Sequence, residues 1–438
     1  MASPPADVDL GKLSYEIFSL LESKFLFGAA GSIPGTPARA PPPPRDEDRG
    51  RVRVLAIDGC GPSPADALLA AVALARLESA LRDLAGDPDA RLADFFDAAS
   101  GAGAGGVLAA MLFLKGEDGR ARYSAADALA FVAASLGRRE RRSSSSSSSS
   151  LLRRVFGDAT LRDTVAPLLV PCYDLSTAAP FLFSRADAVE SDSFDFRLRD
   201  VCAATCAGGA TPAAVRSVDG RTAIAAASGG VAAMGNPAAA AITHVLHNKQ
   251  EFPLAAGVDD LLVVSIGSGS SSSAAAAATA TPEMVRLTAE GVADMVDQAV
   301  AMAFGHTCGR NYVRIQVGQR ARAASPAAWS SSGKKTVDAK KAVAAADGML
   351  TQRNVEAELF RGPRLSEKSN REKLEGFAAE LVKEHERRAR CTGLPNVVIK
   401  QVAATPRPSS ATTASSATAT GRTASTMPSP ASQGSYGH

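Results

Sequence analysis

The sequence predicts an α/β protein, with helices layered on a mostly parallel sheet. Three observations carry this. Short apolar runs rich in Val, Leu and Ile alternate with longer stretches of helical periodicity. Glycine-rich turns sit where strand gives way to helix. With 45% hydrophobic residues in 438, the chain is long and apolar enough to bury a core.

Taken in order, Val52–Ile57 is a β-branched run closed by glycine and reads as a buried strand. Residues 65–84 follow with helical spacing. Residues 95–99 read as a second strand, followed by glycines and a helix through Leu114. Further strands are expected at 168–175, 221–226, 261–266 and 312–317. Helices are expected at 124–136, 237–246, 282–304, 338–358 and 370–390. Ahead of all these, Leu13, Ile17, Leu20, Leu21 and Lys24 give residues 10–27 the spacing of an amphipathic helix.

Composition shifts divide the chain. Residues 1–28 form an N-terminal segment around that helix, and 29–50 a Pro-rich linker. Residues 51–403 form one domain, interrupted by low-complexity loops at 138–154 and 268–282; 404–438 is a Ser/Thr/Ala/Pro tail expected to be disordered. The first loop holds a serine run at 143–150 between arginines, read as a solvated insertion or as a basic patch for anionic headgroups.

Charge and cysteine usage narrow the function classes. Lys plus Arg is 48 against 45 for Asp plus Glu, a net +3, which argues against a dedicated nucleic-acid partner. The N-terminus has neither a basic start nor an apolar core of a secretory signal. Cys60, Cys172, Cys202, Cys206, Cys308 and Cys391 are scattered as reduced thiols would be. The expected location is the cytoplasm, with peripheral contact at membranes through the N-terminal helix or the basic loop. No metal-ligand spacing is present.

Three glycine motifs carry chemistry. Asp58-Gly59-Cys60-Gly61 lies between strand and helix, where backbone N–H groups can face an anion or a developing oxyanion. Gly101-Ala102-Gly103-Ala104-Gly105-Gly106 again joins strand to helix. It fits the dinucleotide fingerprint G-x-G-x-x-G, and it fits the nucleophile elbow G-x-S-x-G with Gly103 in the serine's place. The fingerprint also demands an acidic residue about twenty positions on, at the end of a second strand. Glu117 and Asp118 fall in a turn instead. Ser228-Gly229-Gly230 precedes Gly235-Asn236-Pro237, a turn that starts a helix.

In this order the motifs resemble the patatin-like lipid acyl hydrolases, from Lys12 to Gln401. Supporting stretches are FSRADA at 183–188, LVVSIGSG at 262–269 and MVDQAVAMAFGHTCGRNYVRIQ at 295–316. The opening LSYEIFSLLESKFLFG and the Gly-x-Gly-x-Gly elbow are most similar to the plant group III branch of patatin-related phospholipases A. The resemblance implies a three-layer α/β/α fold and membrane lipids, phospholipid or galactolipid, as partners. It implies no cofactor and no metal.

It also implies a Ser–Asp dyad assisted by an oxyanion loop. Carried over, the nucleophile position is Gly103 and the acid position is Ser228, so neither member is present. Gly59, Cys60 and Gly61 stand at the oxyanion hole, and Gly101, Gly105, Gly229 and Gly230 are the motif glycines. Cys60 replaces a family glycine, Pro62 removes an N–H donor, and Ser63 stands where the family has a basic residue. Two main functions follow as expectations: a lipid acyl hydrolase of reduced activity, or an inactive lipid-binding or regulatory protein on the same scaffold. Dinucleotide binding is a remote third.

Overall fold

The computed structural model describes residues 50–59, 67–136, 145–207, 212–228, 236–267, 283–316, 339–358, 362–390 and 397–400. The expected segments 1–28 and 268–282 and the tail 404–438 lie outside the described residues, as does the linker up to residue 49.

Eight strands form one sheet, in the order β5-β6-β3-β2-β1-β7-β8, with β4 also paired to β3. They are β1 (Val52–Ile57), β2 (Ala98–Gly101), β3 (Leu168–Asp174), β4 (Ala179–Ser184), β5 (Ala213–Arg216), β6 (Ala223–Ser228), β7 (Leu261–Ile266) and β8 (Tyr312–Ile315). The pairs β3–β2, β2–β1, β1–β7 and β7–β8 are parallel. Those of β3 with β4 and β6, and of β5 with β6, are antiparallel. A hairpin of β9 (Arg353–Glu358) and β10 (Gly362–Ser369) forms a separate two-stranded sheet.

Helices cover both faces. They are α1 (Leu68–Ala85), α2 (Ala104–Phe113), α3 (Ala125–Leu136), α4 (Ser145–Phe156), α5 (Arg185–Glu190), α6 (Leu198–Thr205), α7 (Pro237–His247), α8 (Glu283–Ala303), α9 (Ala339–Leu350) and α10 (Asn370–Arg390). All six residues of β1 are buried. Alternate residues feed opposite cores: Leu55 and Ile57 join one with α1, α2 and α10, while Val52, Val54 and Ala56 join the other with α7. That period of two, buried on both sides, is the three-layer arrangement expected.

Several boundaries differ from the sequence reading. The strand expected at 95–99 is found three residues later, at Ala98–Gly101. A 3-10 turn at Leu92–Phe95, closed by the Arg91 N–H donating to Asp94 Oδ2 at 2.8 Å, delays entry into the sheet until Ala98. The expected helix 338–358 stops at Leu350, and β9 follows because its backbone pairs with β10. The expected strand at 221–226 is shifted to Ala223–Ser228. The serine-rich loop is the largest correction. Ser145–Phe156 is helical, because the stretch contains no Gly or Pro and Leu152, Val155 and Phe156 bury their side chains. Tyr123 Oη donates to the Val155 carbonyl at 3.1 Å and fixes the end of that helix.

No described helix is long and apolar enough to cross a membrane. On α7, His244 is mostly buried, packed edge-on to Phe252, and burial pushes its pKa down to about 4 from 6.5. The folded chain therefore keeps it neutral, while the unfolded chain protonates near 6.5. We expect its contribution to stability to be complete above pH 6.5 and to fall away from there towards pH 4. Its ring resonances should not titrate between pH 6 and 8; a midpoint near 6.5 by NMR would contradict this.

Candidate functional site

The site is built on the carboxyl ends of β1, β2 and β3. Gly101 pairs with Ile57, and the next residue, Ala102, donates its N–H to the Ile57 carbonyl at 3.2 Å. The chain then turns through Gly103 at φ 54°, ψ −132°, directly into α2. This is the sharp strand-to-helix turn of a nucleophile elbow, and its positive φ is one that side-chain-bearing residues rarely adopt. The backbones of β1's exit and the elbow are interleaved. A Cβ at Gly105 would lie 2.3 Å from the Ile57 carbonyl oxygen and 2.7 Å from that of Asp58.

The elbow therefore has the form of a catalytic one, but nothing reactive at its tip. Space is lacking there too. A Cβ built at Gly103 would lie 2.7 Å from the Gly59 carbonyl oxygen, so the first loop occupies part of the volume a serine needs. The Gly103 N–H donates to Thr205 Oγ1 at 2.8 Å, and Thr205, wholly buried at the end of α6, donates in turn to the Pro171 carbonyl at 3.4 Å. Thr205 thus ties the elbow to β3. No sequence motif marks Thr205. Thr205→Val should leave a buried N–H without an acceptor and lower stability by about 1–3 kcal/mol. Chemical denaturation checks this; an unchanged midpoint would mean the elbow needs no such anchor.

Ser228 is the last residue of β6, and its backbone is in register with Cys172 on β3, the residue after Pro171. The structure thus brings Gly103 and Ser228 to one edge of the sheet, with β3 between the strands that carry them. Cys60, Gly61, Gly229 and Gly230 lie outside the described residues.

Among the described residues, neighbouring groups supply no substitute. Ser100 has the right chemistry but is fully buried within β2, and its hydroxyl has no partner among the described residues. Burial pushes the Cys172 thiol up to about 12, with Asp174 adding to the shift, so no thiolate forms there at neutral pH. Burial also raises the Cys202 thiol well above the usual thiol range. Burial would also raise Asp174, but its carboxylate accepts from Ser176 Oγ, Thr177 Oγ1 and the Ala225 N–H, and these hold its pKa below the usual range. It closes a turn and is committed to that role.

Across β1 lies a charged cluster that the sequence reading did not foresee. Arg314 on β8 places Nη2 at 2.5 Å from Asp58 Oδ2 and 3.0 Å from Asp297 Oδ2 on α8. Its Nη1 donates to Ser265 Oγ at 2.6 Å. Asn236 caps α7, accepting from the Ala239 N–H at 3.0 Å, and donates to Asp297 Oδ1 at 2.6 Å. Burial alone would lower the Arg314 pKa; the two carboxylates more than reverse this and keep the guanidinium charged. Among the described residues no group of three His, Cys, Asp or Glu could hold a metal ion. Glu117 and Asp118 lie beyond the far end of α2, away from the elbow, where they cannot complete a dinucleotide site.

Comparison with known proteins agrees with this arrangement. The family model described as Patatin-like phospholipase matches residues 55–242, a span that includes Gly103 and Ser228. Patatin-like protein 3 of Oryza sativa subsp. japonica is 56% identical over 86% of this chain and 92% of its own length. Patatin-like protein 6 of Arabidopsis thaliana is 42% identical over 92% of this chain and 89% of its own. Probable inactive patatin-like protein 9 of Arabidopsis thaliana is 37% identical over 86% and 94%. With the elbow, the mostly parallel sheet and this similarity along most of its length, the chain belongs to the patatin-like phospholipase family.

Proposed function

We propose that the chain is a lipid acyl hydrolase of low turnover, acting on fatty-acyl esters of phospholipids or galactolipids. The observation that carries this reading is the elbow: Gly103 holds the strained turn at the carboxyl edge, with the Ser228 position beside it across β3. Glycine forms no acyl-enzyme, so water is the direct nucleophile and backbone donors of the first loop stabilise the oxyanion. Loss of the dyad removes about a millionfold of rate. What remains is on the order of 10³–10⁴-fold over water. The reading needs no cofactor and places the chain in the cytoplasm, meeting lipid at membrane surfaces.

A second reading is lipid binding without turnover. The Gly59 carbonyl oxygen, 2.7 Å from where a serine's Cβ would be, favours it. One assay separates the two. Purified chain is incubated with labelled phosphatidylcholine and, separately, galactolipid, and released fatty acid is counted. Slow release, lost when Cys60 and Gly61 are replaced by bulky residues, supports hydrolysis. No release leaves the binding reading, and equal release by both versions identifies a contaminating lipase.

A further inference from the structure

A second charged region lies at the amino edge of the sheet, at the opposite end of α2 from the elbow. After α2 the chain folds back in a tight turn. Lys115 bridges to Ala121, the Gly116 N–H donates to the Arg120 carbonyl at 2.7 Å, and the Arg122 N–H donates to the Leu114 carbonyl at 2.8 Å. Arg120 ties this turn to the segment that leads into β2. Its Nη2 donates to the Asp89 carbonyl at 3.1 Å and to Asp94 Oδ2 at 3.0 Å. Between the turn and that segment lies a cleft of about 640 Å³. Small-molecule sites occupy about 300–1,000 Å³.

Of the charged side chains that line the cleft, Arg120 is committed to Asp94. The others are three cations, Arg91, Lys115 and Arg122, and three carboxylates, Asp89, Glu117 and Asp118. Among the described residues, none of these six side chains lies within ion-pair distance of an opposite charge. Asp118 Oδ1 accepts from the Arg120 backbone N–H at 3.1 Å, which fixes the carboxylate without neutralising it. Arg122 carries its guanidinium over the Tyr123 ring, 5.4 Å from the centroid, which fixes the cation. Scattered surface charges are ordinarily just solvated. Here both signs are held apart around one hollow. A ligand of one sign is repelled by three of the six, whereas a ligand bearing both signs can turn each end to its complement. Arginine forks match the oxygens of a phosphate, and lysine meets them as a point charge.

We propose that this cleft binds a small zwitterion, a phosphate joined to an ammonium by a short carbon chain. The phosphate sits with Arg91, Lys115 and Arg122, and the ammonium with Asp89, Glu117 and Asp118. The site is separate from the elbow and does not rest on any turnover there. Free phosphoethanolamine and the headgroup of phosphatidylethanolamine share this chemistry.

The test is titration calorimetry of the full chain with phosphoethanolamine, and with inorganic phosphate and ethanolamine as its two halves. An exposed ion pair changes affinity by up to about fivefold. Phosphoethanolamine is therefore expected to bind about fivefold more tightly than either half. Lys115→Gln and Arg122→Gln should each weaken it by about fivefold. Glu117→Gln should weaken phosphoethanolamine yet strengthen inorganic phosphate, opposite signs that a merely structural role would not produce. Arg76→Gln, which breaks an exposed pair with Asp347, should change neither. Galactolipid vesicles with and without phosphatidylethanolamine identify the source. Added sedimentation with phosphatidylethanolamine, reversed by soluble phosphoethanolamine, assigns the lipid headgroup; binding in solution without it assigns the free zwitterion. An absence of binding to phosphoethanolamine overturns the proposal. So does inorganic phosphate bound as tightly as phosphoethanolamine, the mark of a plain anion site. An affinity that both Arg122→Gln and Glu117→Gln leave unchanged overturns it as well, by placing the ligand elsewhere.

Discussion

Gly103→Ser is expected to destabilise the chain and to fail as a nucleophile. The φ of 54° at this turn suits glycine, and a side-chain-bearing residue held there loses about 1–3 kcal/mol. The contact adds to that. With its Cβ 2.7 Å from the Gly59 carbonyl oxygen and 3.2 Å from the carbonyl carbon, serine must displace backbone rather than a flexible side chain. Asp58, clamped by Arg314, resists that displacement. Unfolding in denaturant should show a loss at or above the upper end of the range, and a fluorophosphonate probe should leave the new serine unlabelled. Adding Ser228→Asp restores a carboxylate but does not widen the gap, so the double variant should also stay unlabelled. A labelled, fully stable Gly103→Ser chain would show that the first loop yields easily, and the low turnover proposed for the chain would then trace to the missing side chains alone.

This distinguishes two kinds of information in the sequence. The departure from the family pattern was legible, since Gly103 and Ser228 sit inside motifs whose order and spacing resemble the family's. The central strands were legible for a similar reason: β1 and β7 are buried over their whole length, and each reads as a short apolar run broken only once, by Arg53 and by Ser265. The closed elbow was not legible. It depends on where Gly59 lies relative to Gly103, and no local pattern encodes a distance between two loops. Arg314 was hidden for the same reason, because it meets Asp58 across 256 positions of sequence. The serine run misled the reading because composition argued for solvation. The side chains that make it a helix, Leu152, Val155 and Phe156, come only after the serines. β9 was missed because its sequence, RNVEAE, suits a helix as well as a strand, and only its pairing with β10 decides.

The second large effect is expected at Asp97, at the opposite end of β2 from the elbow. The sequence places it in the stretch Phe96-Asp97 that leads to the elbow, which invites a catalytic role; its contacts assign it a structural one. Asp97 is 7% exposed. Its Oδ2 accepts from the Arg53 N–H at 2.8 Å, and its Oδ1 from Arg53 Nη2 at 3.0 Å and Arg388 Nη1 at 2.7 Å. Arg388 belongs to α10 and also pairs with Glu384 at 3.0 Å, so this one carboxylate pins the last helix to the amino ends of β1 and β2. Burial would raise the Asp97 pKa, but the two guanidinium groups outweigh it and hold the value below 3.8. A depressed carboxylate contributes its full stability above the unfolded value and loses it as pH falls below 3.8 towards the folded one. Asp97→Ala leaves the buried Arg53 and the half-buried Arg388 guanidinium groups facing each other, and breaking a buried pair in this way costs about 3–5 kcal/mol. The variant should unfold at much lower denaturant than the parent at pH 7. The gap between them should narrow as the pH is lowered below 4, because the parent then gives up the same interaction. A gap that stays constant down to pH 2 would mean that the loss comes from packing rather than from the ion pair.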